Sequence, residues 1–190
     1  QLVYKHHKST NTQELLKSSG SGTENLWDLR LIPDNEGISS SLQFRLNNSK
    51  TGSLDITGSA ISMSLGYNTM LDGQLWNIML QRMSSSVSGS GTQEYRLYSA
   101  LQDDRSPDII YNLSHMSMSV SGGLTEDSNN LANQNWVGSG SRHYLTSSNL
   151  YVGRTLTGSM AELRTWTTTL SASRFRMHTL NKFSTVGNTI

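Results

Sequence analysis

The chain has no cysteine, only two prolines and three phenylalanines, and carries charge on just 15% of its residues. Each shortage removes a class of explanation. Without thiols there is no disulfide framework, no thiolate metal site and no cysteine nucleophile, so order has to come from a buried core. That permits folding in a reducing cytoplasm, although a large single-core domain also persists outside cells without disulfides. No apolar run approaches the roughly 20 residues that span a bilayer as a helix, so membrane insertion is not expected, and no signal peptide is visible. Fifteen basic and 14 acidic residues leave a formal charge of +1. Nucleic-acid affinity comes from concentrated Lys and Arg, so no nucleic-acid partner is expected.

What the chain does have is Ser, Thr, Asn, Gln and 16 glycines interleaved with short apolar alternations. That composition favours short strands and many turns over long amphipathic helices. At 190 residues a single domain, 1–190, is expected, and a chain of this size buries roughly 70% of its unfolded surface. Period-2 patterns place strands at 14–17, 26–31, 42–46, 61–65, 76–80, 94–98, 109–113 and 116–120, each bounded by turn residues. Residues 2–4 begin abruptly in an extended pattern, and the chain starts at Gln1. The expectation is a piece of a longer chain, with an earlier strand outside it.

Several constellations invite chemistry. His6 and His7 are adjacent, but neighbours on a strand point to opposite faces and cannot chelate side by side, so a solvated surface is the preferred reading. Asp34 and Glu36 follow Pro33 without regular oxygen-ligand spacing and read as turn formers. Asp103, Asp104 and Asp108 form the most acidic segment; calcium is a weak possibility there and a solvated turn the stronger one, since no glycine-centred loop or bidentate Glu follows. No cofactor is otherwise expected. Residues 121–148 read as a loop, and a loop that long in a compact domain is uncommon unless it has a task. It carries Asn135, Trp136, Arg142, His143 and Tyr144, side chains that suit a sugar face or a partner surface. The equal alternative is that Trp136 folds back as a plug over the sandwich edge.

The most specified stretch is 149–181. Leu150 and Val152 alternate up to Gly153, Thr157-Gly158-Ser159 is turn chemistry, and 160–166 form a second extended run with Ala161, Leu163 and Thr165 on one face. Ser171 is a good N-cap, and Ala172, Phe175 and Thr179 recur at helical spacing, leaving Arg174 and Arg176 exposed. Taken together, Leu150-Tyr151-Val152-Gly153-Arg154, Thr157-Gly158-Ser159-Met160-Ala161-Glu162-Leu163-Arg164-Thr165-Trp166 and Thr169-Leu170-Ser171-Ala172 resemble the closing segment of the laminin-G-like branch of the concanavalin A-like lectin/glucanase superfamily. Gln74-Leu75-Trp76-Asn77-Ile78-Met79-Leu80 is similar to that family's mid-domain strand and 95–98 to the strand after it, while 2–16 match its opening. Ala161 stands where the family usually has Asp, and Ser173-Arg174 replace its usual acidic pair. The resemblance implies an all-β fold, a two-sheet antiparallel jelly-roll sandwich with a short C-terminal helical turn.

Such a fold does not fix function. A glucanase would need two carboxylates flanking the scissile bond, and no strand of the E-x-D-x-E kind exists; Glu14, Glu24, Glu36, Glu94, Glu126 and Glu162 are isolated. No Gly-x-Ser-x-Gly elbow marks a nucleophile. The expectation is therefore not an enzyme but a binding or structural module of a larger assembly. A virion or phage structural or attachment protein is the favoured setting, in a virion or at an extracellular surface, with other protein subunits as partners and a cell-surface glycan as a possible ligand. A carbohydrate-binding module of a secreted glycan-active enzyme is the alternative. Trp136, Tyr144, Asn135 and Asp104 are the candidate ligand contacts, aromatics for sugar faces and short polar side chains for hydroxyls.

Overall fold

The computed structural model describes residues 2–3, 9–20, 25–48, 54, 60–71, 73–84, 91–102, 110–122, 132–137, 149–166, 168–181 and 183. They form ten strands and two helices: β1 (Leu2–Val3), β2 (Gln13–Ser19), β3 (Asn25–Pro33), β4 (Ser40–Asn47), β5 (Ala60–Asn68), β6 (Leu75–Ser84), β7 (Gln93–Gln102), β8 (Ile110–Val120), α1 (Ala132–Val137), β9 (Asn149–Val152), β10 (Ser159–Met160) and α2 (Ala172–Leu180). The strands make two antiparallel five-stranded sheets, ordered β10-β1-β6-β7-β8 and β5-β4-β3-β2-β9. One sheet is the meander β2 to β5 with β9 returning beside β2; the other is the meander β6 to β8, extended by β1 beside β6 and β10 beside β1. β9 pairs β2, with Leu16 opposite Val152, and β10 pairs β1, with Leu2 opposite Met160. The closing stretch thus completes both sheets.

The two sheets pack face to face as a β sandwich. Alternation decides which side chains meet between them: Leu15, Trp27, Leu29, Leu31, Leu42, Phe44 and Leu46 come from one sheet and Trp76, Tyr95, Leu97, Leu101 and Val120 from the other. A second, smaller cluster lies on the outer side of the other sheet, where Leu170 and Phe175 cover Met79, Tyr98 and Ala100. Helix α2 is thereby a lid. Its start is fixed by Ser171, whose side chain accepts from the Arg174 N–H at 3.3 Å, and Phe175 and Thr179 are its buried residues while Ala172 is exposed.

Three local expectations change. The patterns at 109–113 and 116–120 belong to one strand, β8, because Ser114 and His115 continue the pairing with β7. The interval 121–148 contains a helix, α1, too short for its period to stand out. Among the described residues, strand pairing in the expected run 160–166 is seen at Met160, which continues from Ser159. Beyond them the alternation survives, with Arg164 and Trp166 half-buried and Ala161, Leu163 and Thr165 exposed, but no ladder accompanies it among the described residues.

Candidate functional site

The polar residues of the sandwich are largely committed to holding it together. In the turn between β3 and β4, the Asp34 carboxylate accepts from the N–H groups of Glu36, Ile38 and Ser39 at 3.2, 3.0 and 3.1 Å. Local desolvation pushes this carboxyl up, and the backbone donors outweigh it and hold it below its ordinary value. Asp34 is a turn former, as its spacing implied. Gly37 completes the turn at φ 67°, a conformation that disfavours side chains. A Cβ there would also stand 3.0 Å from the Ser9 backbone nitrogen.

On the side of β3 and β4 facing away from the main core, cross-strand partners form a polar ladder. Arg30 donates to Gln43 Oε1 through Nε and Nη2 at 2.9 and 2.6 Å. One rung further, Arg45 grips Asp28 with both Nε and Nη2, the former at 2.9 Å, and its Nη1 donates to the Leu54 carbonyl at 3.3 Å. Asp28 is fully buried and Arg45 nearly so. The alternation in 26–31 correctly put Asp28 and Arg30 on the face opposite Leu29 and Leu31; that this face is also covered was not legible, and Leu54 supplies part of the cover.

Of the four candidate ligand contacts, two lie on α1. Trp136 stacks on Trp27 with ring centroids 5.1 Å apart and meets Phe44 and Tyr95 edge-on at 5.8 and 5.4 Å. It bridges the two sheets from between them, the plug geometry. Asn135 Nδ2 donates to the Asn47 carbonyl at 2.7 Å. Their neighbour Asn133, which the sequence did not single out, anchors the helix: it accepts from the Tyr95 hydroxyl at 2.8 Å and donates to the Val120 carbonyl at 3.0 Å. Burial pushes the Tyr95 phenol far above its ordinary value, with the nearby Arg82 charge opposing. The only advance signal was the spacing of Ala132, Asn133 and Trp136, one face of a single helical turn. Tyr144 and Asp104 lie outside the described residues, as do His6, His7, Asp103 and Asp108. Of the four, the described residues thus include Asn135 and Trp136, both engaged in packing or hydrogen bonds within the sandwich.

A groove of about 430 Å³ lies along β6 on the side away from β7. One bank is Asn77, Ile78, Met79, Leu80, Gln81 and Arg82; the other is Met160, Glu162, Leu163, Arg164, Thr165 and Trp166. Leu15, Leu16, Trp27 and Leu29 floor it from the opposite sheet, and Leu170, Phe175 and His178 roof it. The outer bank is tied to the lid: Arg164 Nη1 lies 3.2 Å from His178 Nδ1, and Trp166 packs on the His178 ring at 5.4 Å. Arg164 also donates to Glu162 at 2.7 Å, which holds that carboxyl below its ordinary value. On β6, Gln81 accepts from the Leu170 N–H at 3.1 Å, whereas the buried Asn77 Nδ2 and Arg82 Nη1 have no hydrogen-bond partner. Burial lowers the Arg82 pKa.

Among the described residues no three His, Cys, Asp or Glu side chains gather where they could hold a metal, and no helix is long and apolar enough to cross a membrane. The two sheets leave two kinds of feature that could engage something else: the groove along β6 and the outer edge of β8. Compared with known proteins, the chain matches no family model, no curated protein and no solved structure.

Proposed function

We propose that this chain is a non-catalytic binding or structural module of a larger assembly, a jelly-roll sandwich of the concanavalin A-like, laminin-G-like kind such as a virion structural or attachment protein carries. The late strands β9 and β10 returning beside β2 and β1 support the jelly-roll reading. The observation that carries the functional reading is β8. It has 11 residues, stands at the edge of its sheet and contains no Asp, Glu, Lys, Arg or Pro. Among the described residues it pairs with β7 alone.

Edge strands expose unpaired N–H and C=O groups, and proteins that must stay solitary blunt them with charge, proline or brevity. β8 uses none of these devices. It also exposes Leu113 and Met116 at 40% and 42%, so a neighbouring strand would gain both main-chain pairing and apolar contact. Strand addition of that kind is a common route by which a sandwich joins an assembly. A photo-reactive residue in place of Leu113 in the full-length protein, irradiated in its own source, tests the reading. A heavier cross-linked species is expected from Leu113 and not from the same residue placed at the exposed Ala172. No adduct at Leu113, or equal adducts at both, refutes it. A glycan array separates this reading from a carbohydrate-binding module: a blank array supports assembly, and a reproducible hit lost on Tyr144→Ala overturns it.

A further inference from the structure

The strands that carry no charge are the two that share a flank. Among the described strands of seven residues or more, β2, β3, β4, β6 and β7 each hold at least one Asp, Glu, Lys or Arg, and β5 and β8 hold none. β5 ends one sheet, β8 ends the other, and the two pack beside one another. Charge is a usual protection for an edge strand, and here the interior strands have it while the edges go without. On the opposite flank the edges are β9 and β10, of 4 and 2 residues, blunted by brevity.

Among the described residues β5 pairs with β4 alone and β8 with β7 alone. On β8, Leu113 and Met116 are exposed. On β5, Gly66 is exposed, and a Cβ built there would meet nothing within 4 Å. A glycine inside a strand lets another backbone come close.

We infer that this flank is a homodimer interface, in which β8 pairs antiparallel with β8 of a second copy across a twofold axis perpendicular to the sheet and β5 faces its own counterpart in the layer below. This names the partner for the β8 edge, and it rests on reading that edge as the site of assembly. Charge selects the occupant. A twofold interface sets one patch against itself, so a charge near the axis meets its own copy, and like charges directly opposite across strands are destabilising. A patch without charge is compatible with itself and offers nothing to steer a charged partner. Size is sufficient as well. At about 3.4 Å per residue, strands of 11 and 9 residues reach roughly 37 and 31 Å, and with sheets about 10 Å apart plus their side chains the flank covers about 700 Å² per copy. Specific interfaces bury about 1,200–2,000 Å² in total, a range that two such flanks reach.

Met116 sits where the two copies meet. It lies opposite the fully buried Leu97, so its side chain is on the face turned toward the other sheet, one residue from the middle of β8. The register that overlaps the two strands end to end sets Met116 opposite Ser114 of the second copy and one diagonal step, about 7–8 Å, from its own counterpart. The apolar layer between the sheets then runs on across the axis.

Sedimentation velocity on the purified chain tests this. A species of twice the chain mass is expected, in a share that rises with concentration, and a monomer even at millimolar concentration overturns the inference. Met116→Lys and Met116→Glu each weaken self-association about tenfold, and an equal mixture of the two associates about threefold more tightly than either alone, because the axis then sets Lys beside Glu. Variants as tight as the parent, or a mixture no tighter than its components, overturn it. Leu113, outside both core clusters, supplies a readout that does not need the Met116 variants to fold. A photo-reactive residue there joins two purified chains, with the adduct on 60–68 or 110–120 of the second; no adduct, or one elsewhere, overturns the inference. A purified chain that stays single while the same residue captures another protein in the source ends this inference and leaves the assembly reading standing, and no adduct in either setting ends both.

Discussion

Replacing Asp28 by Leu removes one half of the most buried ion pair among the described residues. The carboxylate is fully buried and takes two donors from Arg45, which is itself only 9% exposed. Its other cross-strand neighbour, Lys17, is already paired with Glu14 at 3.7 Å, so the loss falls on the Arg45 guanidinium, which is deprived of the Asp28 carboxylate. It keeps its donation to the Leu54 carbonyl at 3.3 Å, but a neutral carbonyl does not supply the charge of the lost carboxylate. Breaking such a pair from one side costs about 3–5 kcal/mol, a large share of the 5–15 kcal/mol by which domains are ordinarily stable. Arg45→Met alone strands Asp28 and has a similar cost. The double variant Asp28→Leu with Arg45→Met removes both charges while keeping side-chain volume, and is expected to lie within about 1 kcal/mol of the parent, since apolar replacement of a whole buried pair is often neutral. Urea unfolding of the four proteins, followed by tryptophan fluorescence, gives the cycle. A loss below about 1 kcal/mol in either single variant, or a double variant whose loss equals the sum of the singles, refutes the assignment of Asp28 and Arg45 as a coupled pair.

Two further outcomes are expected. Trp136→Ala, which empties the space among Trp27, Phe44 and Tyr95, costs about 2–4 kcal/mol by urea unfolding, somewhat below a fully buried Trp; unchanged stability would return Trp136 to the role of a free stacking platform. Asp34→Asn tests the turn by pH. Asp34 has a folded pKa below its ordinary 3.8, so its contribution is present above that value and lost as pH falls through the lower folded one. The variant is less stable than the parent at pH 7, and thermal melts show the gap closing below about pH 3.8, near the ordinary carboxylate value; a gap independent of pH counts against the carboxylate.

Much of this architecture was legible because a strand's side-chain period is fixed. Leu42, Phe44 and Leu46 against Gln43 and Arg45 left one way to face the core, and Ser171 announced its helix by the hydrogen bond it makes. What stayed hidden depended on tertiary partners. Asp28 reads as a surface residue until something covers the outer face of its sheet, and Asn133 looks like loop polarity until Tyr95 is placed beside it. Trp136 was open between two roles because an indole has the same chemistry on a sugar as in a core; only its neighbours Trp27, Phe44 and Tyr95 distinguish them. The alternation of 160–166 was real, yet alternation reports which way side chains point and says nothing of whether a ladder partner stands alongside.

The return of β9 to β2 sets a timetable for synthesis. Gly153 donates to the Leu15 carbonyl at 2.8 Å, and Glu14 donates to Thr155 Oγ1 across a separation of 141 residues. A ribosome adding about 5–20 residues per second takes roughly 7–28 s to bring those partners within reach of each other. During that interval β2 has emerged with one edge bare, and β3 to β5 and then β6 to β8 can pair in sequence while the sandwich stays unclosed. Chaperone contact with the nascent chain is therefore expected to concentrate on β2 and to be released when residues 149–160 leave the exit tunnel.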